Sequence, residues 1–189
     1  MHLEADPGEY FRTPRLLTRK FVPTDLKTFV AYRADPEVAQ YQGWSDYTLD
    51  DGRALIDSMR DRRPGTPGEW YQFALQELEG RALVGDVALK VSEAEPSEAE
   101  LGVTLAPQCQ GNGYGSEAVT GLLSYSFQTL GLRRVVAVTD ARNAAAVRLF
   151  DRVKMRREAH FHENAFFKES WCSEILFAIL GREWLSRAG

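Results

Sequence analysis

The sequence predicts an α/β domain, and three observations carry that prediction. Three consecutive segments, YQFALQEL (71–78), LVGDVALKV (83–91) and AELGVTL (99–105), alternate side-chain character across short connections, as an antiparallel meander does. From Ser116 the period changes to that of a helix, with Val119, Leu122, Leu123, Phe127 and Leu130 on one face. After that helix a strand, a second helix and further strand-like residues follow, which gives the order β-α-α-β-β-β-α-β-α-β-β.

The elements follow in chain order. TPRLLTRKF (13–21) reads as the first strand, and PTDLKTFVAY (23–32) as a helix with Thr24 at its N-cap and Leu26, Phe29 and Val30 at helical spacing. TLDDGRALIDSM (48–59) is a second helix, with Thr48 and Asp51 in capping-box positions ahead of Leu55, Ile56 and Met59. DRRPGTPGEW (61–70) is a turn-rich loop. Along the meander, Val87, Leu89 and Val91, then Leu101, Val103 and Leu105, take alternate positions. Gly131 stops the helix that begins at Ser116, and RRVVAVT (133–139) is the fifth strand. Asn143 caps a helix whose Ala146, Leu149, Phe150 and Val153 share a face. A sixth strand follows, then a coil-rich span over 160–173 and a last strand, EILFAIL (174–180).

Composition bounds the function. With 189 residues and 21.3 kDa the chain fits one domain, expected over 13–189 behind an N-terminal extension of residues 1–12. No apolar run approaches the roughly 20 residues that span a bilayer, and MHLEADPGEYFR lacks the basic start and apolar stretch of an export signal. A cytoplasmic protein with no membrane contact is expected. Cys109 and Cys172 stand far apart without Cys/His spacing, so neither a disulfide framework nor a metal site is expected. A net charge of -4 argues against nucleic acid as a partner and mildly favours cationic small molecules or peptides.

The stretch QGNGYGSEA (110–118) carries the chemistry. Glycines just ahead of a helix let backbone N–H groups approach a ligand, and those groups with the helix dipole favour a phosphate. It is not a Walker loop, because no Gly-Lys-Ser/Thr follows. It also departs from the dinucleotide GxGxxG, because Ser116 stands at the third glycine.

Gln110, Gly113 and Gly115 instead match the Q/R-x-x-G-x-G/A signature of the GNAT superfamily of N-acetyltransferases, in the same context between a meander strand and a long helix. TPRLLTRKFVPTDL, DPEVAQYQGW and VTDARNAAAVRLFDRV also resemble family segments, so the resemblance spans about residues 13–184. Among subgroups the chain looks most like the one that acetylates N-terminal amines of ribosomal proteins, which also includes antibiotic and polyamine acetylators. The resemblance implies a mixed central sheet with flanking helices, its fourth and fifth strands splayed, and acetyl-coenzyme A (acetyl-CoA) as co-substrate with no metal. It implies that the pantetheine arm bonds to the backbone of Val103, Thr104 and Leu105, and the pyrophosphate to N–H groups of Gln110, Gly111, Asn112, Gly113, Tyr114 and Gly115. Asn143 resembles the family asparagine that helps hold the cofactor, and is also a plain N-cap. Arg148, one turn on, is a candidate for a coenzyme A phosphate.

The family reaction is direct attack of a neutral amine on a thioester. An alkyl amine has a pKa around 10, so a base or a water relay must remove its proton. Glu100, just before Leu101-Gly102, is the first candidate base; Glu158, His160 and His162 are further candidates near the family's substrate loops. Against the family pattern, Ala146 and Phe150 stand where a hydroxyl often protonates the leaving thiolate, and Lys154-Met155 replaces a Gly-Phe pair. The expectation is therefore an N-acetyltransferase acting on a primary amine, a small molecule or a peptide N-terminus, as monomer or homodimer. The alternative is a non-catalytic acyl-CoA-binding module of the same fold. Lys154 is expected in a left-handed conformation where the family has its helix-stopping glycine.

Overall fold

The structure is a computed structural model, and it describes residues 8–187. Eight strands form one sheet in the order β1-β2-β3-β4-β5-β6-β8-β7. The strands are β1 (Glu9–Arg12), β2 (Leu16–Arg19), β3 (Trp70–Glu77), β4 (Leu83–Val91), β5 (Glu98–Leu105), β6 (Arg134–Asp140), β7 (Arg156–Phe167) and β8 (Ser170–Leu180). The helices are α1 (Leu26–Arg33), α2 (Pro36–Ala39), α3 (Leu49–Ser58), α4 (Tyr114–Ser124, extended by a π turn over Tyr125–Thr129), α5 (Ala144–Arg152) and α6 (Gly181–Leu185). All neighbours pair antiparallel except β5 and β6, so the sheet is mixed and β3-β4-β5 is the expected meander.

The predicted caps at Thr48 and Asn143 are present: Thr48 Oγ1 accepts from Asp51 N–H, and Asn143 Oδ1 accepts from Ala146 N–H. Three expectations change. Glu9–Arg12, set apart as extension, pairs with β2 as an edge strand. Thr24 is not a cap; Asp25 takes the Val22 N–H at 2.8 Å and both terminal guanidinium nitrogens of Arg19. The span 160–173 is not coil, because β7 and β8 form a long hairpin through it. Its signal is hidden because most β7 side chains are exposed, two bulges break the alternation, and the turn uses Lys168 (φ 47°) and Glu169 (φ 63°) instead of Asn-Gly.

The two faces of the sheet are unequal. On one, α4 and α5 bury Leu122, Leu123 and Phe150 against Val87, Leu89, Phe177 and Ile179. On the other, α1 and α3 cover the β3–β4 half, with Phe29, Tyr32 and Ala74 at the centre. Over β6 that second face is open: Val138, in a central strand, is 37% exposed.

A buried ion pair anchors α1 to this second face. Arg33 donates to Asp86 of β4 at 2.9 Å, the side chains being 3% and 2% exposed, and Tyr32 O–H donates to the other carboxylate oxygen at 2.6 Å. Burial first, then the Asp86 carboxylate, push the Tyr32 phenol well above its ordinary pKa. The guanidinium stacks 4.0 Å from the Trp44 ring centre, and Trp44 Nε1–H donates to Arg33 O at 3.0 Å. A cation held by a carboxylate and stacked on the Trp44 ring ties the chain after α2 to β4.

Lys154 ends α5 with φ 62°, and Met155 N–H closes back onto Phe150 O at 3.0 Å. That is the left-handed stop the sequence predicts, occupied by a residue with a Cβ. Lys154→Gly should stabilise the protein by up to about 1 kcal/mol in denaturant unfolding; a lower midpoint would show that the lysine side chain contributes more than its backbone strain costs.

Candidate active site

The site is built around a gap in the sheet. β5 and β6 pair in parallel only at Glu98–Arg134, Ala99–Val135 and Glu100–Val136, although β5 continues to Leu105 and β6 to Asp140. Beyond Glu100 the strands splay. Ladder parity shows which groups are left facing the gap: Ala106 N–H bonds Val84 O and Ser92 N–H bonds Glu98 O, so even-numbered β5 residues turn their backbone toward β4. Arg134 N–H bonds Ser97 O, so odd-numbered residues turn toward β6. Val103 and Leu105 therefore present backbone groups to the gap, whereas Thr104, grouped with them from sequence, has its backbone engaged with Asp86 of β4. Leu105 O accepts from Gln110 Nε2 at 3.2 Å, which ties the signature glutamine to the strand edge. Backbone donors and acceptors left open inside a sheet demand a partner, and an extended chain carrying amide groups fits that demand.

The cradle follows at the wide end. Gly111 (φ 76°) and Gly113 (φ 82°) are left-handed, and Gly113 is the N-cap of α4. The first helical bond is Glu117 N–H to Gly113 O, and among the described residues nothing accepts from the N–H groups of Gly111 through Ser116. Successive free N–H groups at the start of an eleven-residue helix make an anion site. A Cβ on Gly113 would sit 3.4 Å from Arg15 Nη2. Arg15 places Nε on Glu117 at 2.7 Å and Nη1 on Asn112 O at 3.0 Å, so it offsets the one acid in the first turn. The Tyr114 ring is held aside by Arg15, 4.4 Å from its centre, and by a hydrogen bond to Glu77, which leaves its N–H in the cradle. These residues fit a pyrophosphate.

Glu100 stands at the narrow end, on the last paired position, and its side chain shares the open face with Lys90 and Val136. Burial raises its pKa above the ordinary carboxylate value; Lys90 opposes this and Glu174 of β8 adds to it. Glu174 holds Asn164 Nδ2 at 2.6 Å. Two carboxylates thus face the open side of the gap, where a protonated amine would be attracted and a raised carboxylate pKa suits proton transfer.

A family model described as Acetyltransferase (GNAT) domain matches residues 15–156. The chain belongs to the GNAT family. It is 28% identical over 175 residues to an uncharacterized N-acetyltransferase, YnaD, of Bacillus subtilis (strain 168), a match covering 93% of this chain and 99% of that one. An acetyltransferase of the GNAT family from Bacillus anthracis shares its fold with a TM-score of 0.81 at 27% identity, over 90% of this chain and 98% of the other. So does a spermidine N-acetyltransferase from Vibrio cholerae solved with CoA and spermine, with a TM-score of 0.77 at 22% identity over 90% and 98% of the chains. The protein is an acetyl-transferring enzyme, which sets aside the non-catalytic alternative.

This GNAT structure separates the residues that sequence grouped as candidate bases. Glu158 is locked between Arg134 (2.8 Å) and Arg156 (2.7 Å), and those arginines, Arg134 foremost, hold its pKa down to about 2. A carboxylate so stabilised takes no proton at neutral pH. His160 pairs with Ile175, whose side chain joins the core on the α4–α5 side, and His162 stacks on it with ring centres 4.3 Å apart. Both histidines therefore lie across the sheet from Glu100. Asn143 spends its Oδ1 on its own helix.

Sequence reasoning missed Arg15 and Glu174. Arg15 comes from the turn before β2, and nothing in a linear reading ties it to a loop about a hundred residues on. Glu174 was legible as a residue of the last strand, but its partner Asn164 lay in the expected coil. Among the described residues no group of three or more His, Cys, Asp or Glu side chains is placed to hold a metal, and no helix is long and apolar enough to cross a membrane.

Gly113→Val puts a β-branched side chain on a left-handed backbone at the cradle. Losing charge-assisted bonds worth about 3 kcal/mol should weaken acetyl-CoA binding roughly 100-fold in calorimetric titration, with the far-ultraviolet circular dichroism kept. Unchanged affinity in the folded variant would place the phosphate elsewhere.

Proposed function

We propose that the protein transfers an acetyl group from acetyl-CoA to a primary amine bound on the open face of the β5–β6 gap, with Glu100 as the general base. The observation that carries this reading is the gap itself, with an unpaired strand edge along one side, an N–H cradle at its wide end and a carboxylate of raised pKa at its apex. Acetyl-CoA supplies the activated thioester. Val103 and Leu105 would hold its extended amide-bearing arm along the strand edge. The N–H groups of Gly111, Gly113, Tyr114 and Gly115, with Arg15 beside them, would hold its phosphates.

Glu100 takes a proton from the incoming ammonium, directly or through one water, so that the neutral amine can attack. The α5 helix offers no hydroxyl acid along Ala144–Arg152. The thiolate then leaves with water as its proton source, which is tolerable for a thiol with a pKa near 8.5. Alignment of the two reactants supplies much of the rate. The acids Glu100 and Glu174 favour a cationic acceptor, a polyamine or the N-terminus of a peptide, within the cytoplasm.

Release of free thiol from acetyl-CoA with a panel of amines and peptides tests the reaction. Glu100→Gln should lower kcat by about 10²- to 10⁴-fold while leaving acetyl-CoA affinity intact. Because the Glu100 pKa is raised, wild-type activity should climb with pH through a limb above the ordinary carboxylate range, as the base loses its proton. That limb should vanish in the variant. Full activity of Glu100→Gln across the pH range would remove it from the mechanism.

A further inference from the structure

The chain between α2 and α3 crosses the open face and is fastened on both sides of the gap. On the β4 side, Trp44 is stacked on Arg33, itself bound to Asp86. Past the end of β6, Tyr41 O–H donates to Arg142 O at 3.4 Å. On the far side, the tip of the β7–β8 hairpin reaches over, and Lys168 Nζ donates to Ala39 O at 2.5 Å and to Trp44 O at 2.9 Å. Trp44 meets both Arg33 and Lys168, so, given the strand order β4-β5-β6-β8-β7, the hairpin tip and the segment it holds together cross from the β7–β8 side to the β4 side of the gap.

The turn that carries Lys168 is made of the wrong residues for a turn alone. Two consecutive left-handed positions are best filled by Asn-Gly, yet Lys168 and Glu169 hold φ 47° and 63°. A glycine would form the hairpin with less strain but would carry no ammonium. The side chain that is kept there bridges two carbonyl oxygens, one of them the last residue of α2, where a cation also meets the negative end of the helix.

We propose that Lys168 is a positioning residue for the amine acceptor. Its ammonium ties residues 39–44 to the β7–β8 hairpin, and the tied segment roofs the pocket in which the acceptor lies above Glu100 and Val138. This rests on the reading of the open face as the acceptor side. Lys168 touches neither the thioester nor the cradle, so its loss changes acceptor binding and leaves the cofactor half alone.

Lys168→Met, Lys168→Gly and Lys168→Arg separate the possibilities. Limited chymotrypsin digestion, with cut sites read by mass spectrometry, reports the roof directly, since Tyr41 and Trp44 lie in it and Tyr47 follows just after. Cleavage there should accelerate about tenfold in the Met and Gly variants, as expected for loss of charged hydrogen bonds, and stay at the wild-type rate in the Arg variant. With spermidine and a serine-initiated hexapeptide as probes, KM for whichever is acetylated should rise about tenfold in Met and Gly and return in Arg. The acetyl-CoA dissociation constant should hold within about twofold in all three, well inside the tenfold that one lost charged contact would produce. The melting temperature of Lys168→Gly should not fall, because the strained turn is relieved. A purely structural lysine would lose stability and acceptor affinity together, and that result overturns the proposal. So does unchanged cleavage of the 41–47 segment, or an unchanged acceptor KM once the roof is loosened. If no amine releases thiol even in the wild type, the acceptor reading fails, while the digestion still shows whether the tether holds.

Discussion

Everything in this molecule is arranged around two neighbouring strands that stop pairing. An open strand edge inside a sheet is costly unless its backbone groups find partners, and natural sheets cover or blunt such edges. Here β5 is tied to β4 along its whole length and β6 is tied to β8, so each is rigid without the other. The pair meets at Glu98–Glu100 and then parts, leaving the Val103 backbone and the Leu105 N–H turned toward the gap, while Leu105 O is taken by Gln110. The cradle lies where it does because β5 runs out at Leu105, turns through Pro107–Cys109 and feeds straight into the left-handed glycines before α4. One divergence thus opens a line along β5 that ends at the N–H groups before α4, with Glu100 at its narrow end.

The unequal faces follow from the same construction. A helix pair packed over β5 and β6 on the α4–α5 side supplies most of the hydrophobic core, so the splay does not leave the protein hollow. The opposite face is covered only over β3 and β4, and the boundary of that cover is the buried Arg33–Asp86 pair with its aromatic neighbours. A buried ion pair contributes little net stability against an apolar substitute, but removing one partner strands a charge in the interior. Its value here is geometric. Asp86 lies beside Thr104 of β5, and Arg33 carries Trp44, so the segment after α2 is registered to the strand that borders the gap.

How far the sequence could be read follows from which signals are local. The meander, the helix caps at Thr48 and Asn143 and the left-handed Lys154 were all legible, because alternation, capping and helix termination are written within a few residues of each other. The glycine-rich start of α4 was legible for the same reason: Gly111, Gly113 and Gly115 sit together there. What failed was long-range or weakly patterned. The β7–β8 hairpin has an exposed strand with bulges and a turn without glycine, so no period marks it. The sequence puts Glu100 first among the candidate bases but gives no spatial ground for separating Glu158, His160 and His162 from it. Only strand register puts the histidines on the face opposite Glu100 and Glu158 between two arginines, and only the sheet order brings Glu174 toward Glu100.

Residue-resolved amide hydrogen exchange reads out whether the β5 edge stands open for an extended ligand. In the enzyme alone the Val103 and Leu105 amides should exchange far faster than that of Thr104, which bonds to β4, even though all three belong to one interior strand. On saturation with acetyl-CoA, Val103 and Leu105 should slow toward Thr104 while Thr104 changes little. Equal protection of all three amides without ligand, or no slowing at Val103 and Leu105 when it binds, would mean that the β5 edge is not the ligand's seat.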